Sequence, residues 1–190
     1  MHSVFGRDKG DKSKIGMSSD EVSKAMSVGI QRVLNGLIGK RCWHAIAGTG
    51  AGSAVALGFG ERYKRKRPLS NPCLTQEERE FDSHDTLFLE CAWRVELAGE
   101  VIGGSGDSNN PKGALVTAAN SIVGRRVECI NLSASVMDLV LTFDGEVELI
   151  VFGEKGDSVE DYGDNYTVGE EAGLYIVRGG GEIVFEARSK

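Results

Sequence analysis

The sequence predicts an α+β fold: two helix–β–β–β repeats with pseudo-twofold symmetry, forming one core of mostly antiparallel sheet. Three observations predict it. Short runs alternate apolar and polar residues with period two, as strands with one wet face do. Glycine is abundant at 26 residues and proline scarce at 3, which suits tight hairpin turns. The third is internal similarity. Ile30-Gln31-Arg32-Val33-Leu34-Asn35-Gly36-Leu37-Ile38-Gly39-Lys40-Arg41 matches Leu115-Val116-Thr117-Ala118-Ala119-Asn120-Ser121-Ile122-Val123-Gly124-Arg125-Arg126 at an offset of 85 residues. The register continues into Leu57-Gly58-Phe59-Gly60-Glu61 and Leu141-Thr142-Phe143-Asp144-Gly145-Glu146, with one residue deleted at the turn. Two copies are too few for a solenoid. Each alone carries about three strands and one helix, which is marginal, so the halves are expected to fold together.

The organisation follows in order: a disordered tail over 1–18, a first repeat over 19–104 and a second over 105–190. The tail is polar and without periodicity. Ser18 stands three residues before Glu21, the spacing of a capping box. Val22, Ala25, Met26, Ile30, Val33, Leu34 and Leu37 then mark one helical face, and Asn35-Gly36 stops it. Val55, Leu57 and Phe59 read as one strand, and Leu87, Leu89, Cys91, Trp93 and Val95 as another. Gly103–Pro111 links the copies, with Asn110-Pro111 opening a short helix. Leu139, Leu141 and Phe143 lead through Asp144-Gly145 into Val147, Leu149 and Val151, and a last hairpin joins Leu174–Val177 to Ile183–Phe185. Residues 61–85 and 153–172 read as polar loops.

The cadence of Ile122-Val123-Gly124-Arg125-Arg126-Val127, Asp138-Leu139-Val140-Leu141-Thr142-Phe143-Asp144-Gly145 and Glu148-Leu149-Ile150-Val151-Phe152 resembles a bacterial domain family of unknown function. Asp164-Asn165-Tyr166-Thr167-Val168 looks like the acidic-aromatic element with which members end. Some relatives are regarded as immunity or accessory proteins of toxin systems. The resemblance covers residues 115–185, and 30–95 more loosely. Its motifs are structural, so it implies a fold and no activity.

Chemistry is sparse. Gly48-Thr49-Gly50-Ala51-Gly52-Ser53 lacks the Lys of a phosphate loop and precedes a strand, so it reads as a turn. Cys42, Cys73, Cys91 and Cys129 form no C-x-x-C pair, and three of them sit in apolar or alternating runs as buried thiols. His84-Asp85 beside Glu90 and Cys91, and Cys42 with His44 on one face, have no zinc spacing, so no metal or cofactor is expected. Cys91 or Cys42 with His44 or His84 would make a nucleophilic pair only if brought together in space. Trp43 and Trp93 each need an indole partner if buried, and Trp93 shares the apolar register of the core. No paired-carboxylate assignment is made.

Two charged segments remain. Arg62, Lys64, Arg65, Lys66 and Arg67 form the one dense basic cluster, absent from the second copy and therefore the first choice for specialisation of one half. Asp157, Glu160, Asp161 and Asp164, with Glu170 and Glu171, make an acidic stretch without calcium-loop order. A net charge of -6 argues against general nucleic-acid binding. The absence of a signal-peptide run or an apolar stretch of about 18 residues leads to the expectation of a reduced, cytoplasmic protein with no membrane partner. The leading expectation is a non-catalytic protein-interaction module, of immunity type, meeting a protein partner through the basic and acidic segments. The alternative is a small-ligand-binding module with a pocket between the two repeats, and the third reading is an enzyme with an unrecognised site.

Overall fold

A computed structural model describes residues 19–72, 74–133, 137–154 and 163–188. The expected tail, its Ser18 cap and the acidic residues Asp157, Glu160 and Asp161 lie outside the described residues. Helix α1 (Ser19–Asn35) leads through a turn into strands β1 (Cys42–Ala47) and β2 (Val55–Lys64). A five-residue helix α2 (Gln76–Glu80) precedes β3 (Phe81–Leu89), followed by β4 (Ala92–Leu97) and β5 (Glu100–Gly104). Helix α3 (Ala114–Ser121), β6 (Val127–Leu132), β7 (Leu139–Phe143), β8 (Val147–Phe152), β9 (Asp164–Glu170), β10 (Gly173–Arg178) and β11 (Ile183–Ala187) complete the chain. The fold is α+β. Its strands form a six-stranded sheet in the order β1-β2-β3-β9-β10-β11 and a five-stranded sheet in the order β5-β4-β8-β7-β6. Every strand pairing among the described residues is antiparallel.

Sequence and sheet membership part company at two places. The alternation of Leu87 to Val95 reads as one strand, yet it is divided. Leu89 pairs with Tyr166 in the six-stranded sheet, and Trp93 pairs with Val151 in the other. The apolar register persists across the break because each sheet buries the corresponding face: Leu87, Leu89, Trp93 and Val95 are each at most 2% exposed. The expected 153–172 loop likewise contains β9, whose Tyr166 and Val168 are fully buried. Asn165 secures both crossings. Its carbonyl accepts the backbone N–H groups of Glu90 and Cys91 at 3.0 Å, and its side-chain amide exchanges hydrogen bonds with the Glu154 backbone at 3.1 Å. A buried amide satisfied this fully fixes where the chain changes sheet.

The helices are amphipathic in different degrees. In α1 the C-terminal half is deeply covered, through Ile30, Val33 and Leu34, whereas Ala25 is exposed. A bidentate Arg32–Glu170 pair at 2.7 and 3.1 Å ties α1 to β9. In α3, Leu115, Ala118 and Ala119 are buried. The beginnings of β1 and β6 meet, with Arg41 and Arg126 forming an antiparallel bridge. Trp93 sits in the core as expected, its indole donating to the Ser53 carbonyl at 2.8 Å. Cys129 departs from expectation and is exposed. A bulge between Val127 and Cys129 shifts the register, setting Cys129 opposite Thr142 while Ile130 faces Leu141 in the core.

Candidate functional site

The segment expected to be a loop over 61–85 is structured. β2 continues to Lys64, β3 begins at Phe81, and α2 lies between them. Thr75 caps α2: its hydroxyl accepts the Glu78 N–H at 3.2 Å, and Glu78 Oε2 accepts from the Thr75 N–H at 2.8 Å. The helix buries none of its own residues, so it depends on its ties to the strands. Arg62 ion-pairs with Glu77, and its guanidinium lies 5.4 Å from the Trp43 ring centroid and 5.6 Å from that of Phe81. Arg65 holds Asp82 at 2.5 Å and the Phe81 carbonyl at 2.9 Å, while Lys64 lies 4.0 Å from Glu80. Three of the five basic candidates are therefore engaged inside their own hairpin. Lys66 and Arg67 are exposed. Of the acidic candidates described, Asp164 pairs with Arg178 at 3.4 Å.

What this structured segment faces is a cleft beside β1. A bulge between Cys42 and His44 sets Cys42 opposite Phe59 and His44 opposite Gly58. Cys42 and His44 therefore point to opposite faces, contrary to their expected common face. Trp43, the extra residue, brings its ring edge-on to that of His44 with centroids 3.9 Å apart, and its indole donates to Ser83. His44 occupies the space that Gly58 leaves by having no side chain. A Cβ there would collide with the imidazole, lying 2.6 Å from Nδ1 and 2.9 Å from the Ser83 hydroxyl. His44 is only 6% exposed, and among the described residues its Nδ1 has no hydrogen-bond partner. Burial pushes its pKa down to about 4, against the opposing pull of Glu78 and Asp82, so the ring is neutral near pH 7.

Two cavities adjoin at this point. The smaller, about 400 Å³, is walled by Trp43, His44, Glu77 and Val123; the larger, about 620 Å³, extends along Ile46 to Ala51 and is closed by Leu74, Pro111 and Val116. Ala45, Thr75, Glu78 and Asn120 line both. The walls thus come from β1 and its turn, from the segment between β2 and β3, and from α3. The turn Gly48–Ser53 is shaped by three glycines at positive φ (+110°, +96° and +65°), which explains its composition without a phosphate.

The nucleophile candidates are not assembled. The Cys42 thiol donates to the His44 carbonyl at 3.3 Å, and burial raises both Cys42 and Cys91 to about 12, far from a thiolate. His84 stacks on Tyr63 at 4.4 Å. Among the described residues no three His, Cys, Asp or Glu side chains are placed to hold a metal ion, and no helix is long and apolar enough to cross a membrane. In the sequence alone His44 stands only as a candidate ligand or base. The signal that could have led to the cleft was Thr75-Gln76-Glu77-Glu78, a capping box between β2 and β3. Compared with protein-family models, curated proteins and solved structures, the chain matches none.

Proposed function

We propose that this chain is a non-catalytic small-ligand-binding module whose site is the cleft between its two halves. The observation carrying this reading is a pair of adjoining cavities lined by residues from both halves, with the buried, neutral His44 contributing to the wall of one. Concave surfaces with convergent polar groups and an ionisable group shifted by burial are the usual setting of a ligand site. The internal engagement of Arg62, Lys64 and Arg65 favours this reading over docking of an acidic partner on the basic run.

We further infer that the halves are a pseudo-symmetric duplication around one core. Paired hydrogen bonds support it. The Gly39 N–H donates to Val127 O and the Gly124 N–H to Cys42 O, both at 2.8 Å, and the Arg41 and Arg126 side chains donate to Gly124 O and Gly39 O. Both β1 and β6 bulge directly after their first residue. In this reading the repeat is a helix and five strands, with β4–β5 of the first half completing the sheet of the second, and β9–β10 the reverse. Buried apolar residues of both sheets in one packed cluster support the shared core. The counterpart of the cleft is then the open groove on α1 at Ser27, Gln31 and Asn35, which has no insertion to wall it. One half is specialised by residues 65–80.

The test is a thermal-shift screen of chemically diverse small molecules on the wild type and on Ala51→Trp, which fills the larger cavity. A ligand at 100 times its Kd adds about 2.7 kcal/mol, raising Tm by roughly 5–10 °C for a chain of this size. The expected result is a set of molecules that stabilise the wild type and not the variant. Equal shifts in both proteins, or none in either, would overturn the reading.

A further inference from the structure

The chemistry of the cleft walls names a ligand class. This inference rests on the cleft being the site. Among the described residues no Lys or Arg lines either cavity, whereas Glu77 lines the smaller and Glu78 lines both. Their situations differ. Glu77 is neutralised by Arg62, outside the lining. Glu78 lines both cavities, and its bonds from Thr75 engage Oε2; among the described residues none reaches Oε1. Around it stand the Asn120 amide, the Thr75 hydroxyl and the neutral His44. The junction of the cavities thus presents one anionic oxygen, neutral acceptors and no cation.

We infer that the cleft takes a compact organic cation, with an ammonium or amidinium group against Glu78 and its hydrocarbon part along Ala45, Ala47 and Val116. An anion entering the same place would meet Glu78 without a basic side chain in the lining, losing water for no return. A charge-assisted N–H···carboxylate bond within a partly dehydrated cleft supplies both attraction and orientation. The small side chains of Ala45 and Ala47 leave room beside β1 for methylene groups.

The test uses the full chain with 1,4-diaminobutane as cation and succinate as an anion of similar length. Binding is read from the indole N–H resonances in two-dimensional NMR. Trp43 lines the smaller cavity, whereas the indole of Trp93 donates to Ser53 and serves as an internal control. The diamine is expected to move the Trp43 signal, leave that of Trp93 in place, and bind about tenfold more weakly to Glu78→Gln. Glutamine retains the capping box, so an unchanged Tm shows that α2 is intact in that variant. A second variant, Asn120→Asp, adds a carboxylate to the same junction and is expected to tighten the diamine. Diamine binding that Glu78→Gln leaves unaltered overturns the inference. If succinate moves Trp43 and the diamine does not, the charge assignment falls while the cleft stands as a site. If neither moves it, and the thermal-shift screen also yields nothing that Ala51→Trp abolishes, both fall.

Discussion

His44 should make the protein acid-sensitive in a defined window. Buried at 6% exposure and held down to about pKa 4, it stays neutral in the folded chain where an unfolded histidine, near 6.5, takes up a proton. The unfolded state therefore binds more protons between these values, and stability must rise with pH there. Its contribution is intact above about pH 6.5 and is lost as pH falls toward 4. The full span of the two pKa values corresponds to about 3 kcal/mol, of which about 2 kcal/mol is gone by pH 5. Desolvation is the leading cause; Arg65 adds to it, and the Glu78 and Asp82 carboxylates oppose it. The assay is urea unfolding at pH 7, 6 and 5 on the wild type and on His44→Gln, with the carbon-bound ring protons of His44 followed by NMR. The wild type should lose about 2 kcal/mol more than the variant across this range. Parallel pH slopes in the two proteins, or a His44 midpoint above pH 6, would refute the reasoning.

Two further outcomes follow from the same geometry. Gly58→Ala should cost about 2–3 kcal/mol by chemical denaturation and move the Trp43 indole resonance, because the added methyl collides with the His44 ring; wild-type stability would contradict the packing. In a Cys73→Ser background, one thiol, Cys129, should react quickly with an aromatic disulfide at pH 8. Cys42 and Cys91, raised to about 12, should react roughly a thousandfold more slowly, and rapid titration of three thiols would contradict their burial.

The local layer of this fold is readable from residues; the assignment of strands to sheets is not. Leu139, Leu141 and Phe143, with Val147, Leu149 and Val151 across the Asp144-Gly145 turn, declare a hairpin because its partners are adjacent in sequence. The break after Leu89 is invisible for the opposite reason. Cys91, Trp93 and Val95 keep the period of Leu87 and Leu89, and the change of sheet is decided by Tyr166 and Val151, more than fifty residues away. The bulges at Trp43 and after Val127 are equally silent, and they decide that Cys42 and His44 part and that Cys129 reaches the surface. The segment between β2 and β3 is legible as a place and not as a structure. Its basic residues stand out in the sequence, while the polar wall residues Thr75, Glu78 and Asn120 acquire meaning only once α3 is set across from α2.

The charges of the segment between β2 and β3 are explained by the size of the helix they surround. Five residues cannot repay helix nucleation, and α2 buries nothing to help. Its position is instead fixed at both ends. The Thr75–Glu78 box closes the start, and the Arg65 N–H donates to Glu80 O at 2.7 Å while the Leu69 N–H donates to Arg79 O at 3.0 Å at the finish. Arg62 then draws Glu77 toward the aromatic faces of Trp43 and Phe81. Each exposed ion pair alone is worth about 1 kcal/mol or less. Together they select one placement of a segment that has no core of its own. That placement is the one that leaves Glu78 at the junction of the two cavities, its capping bonds made through one oxygen. The basic run thus acts on the cleft through geometry, by holding the acidic wall in place without lining it.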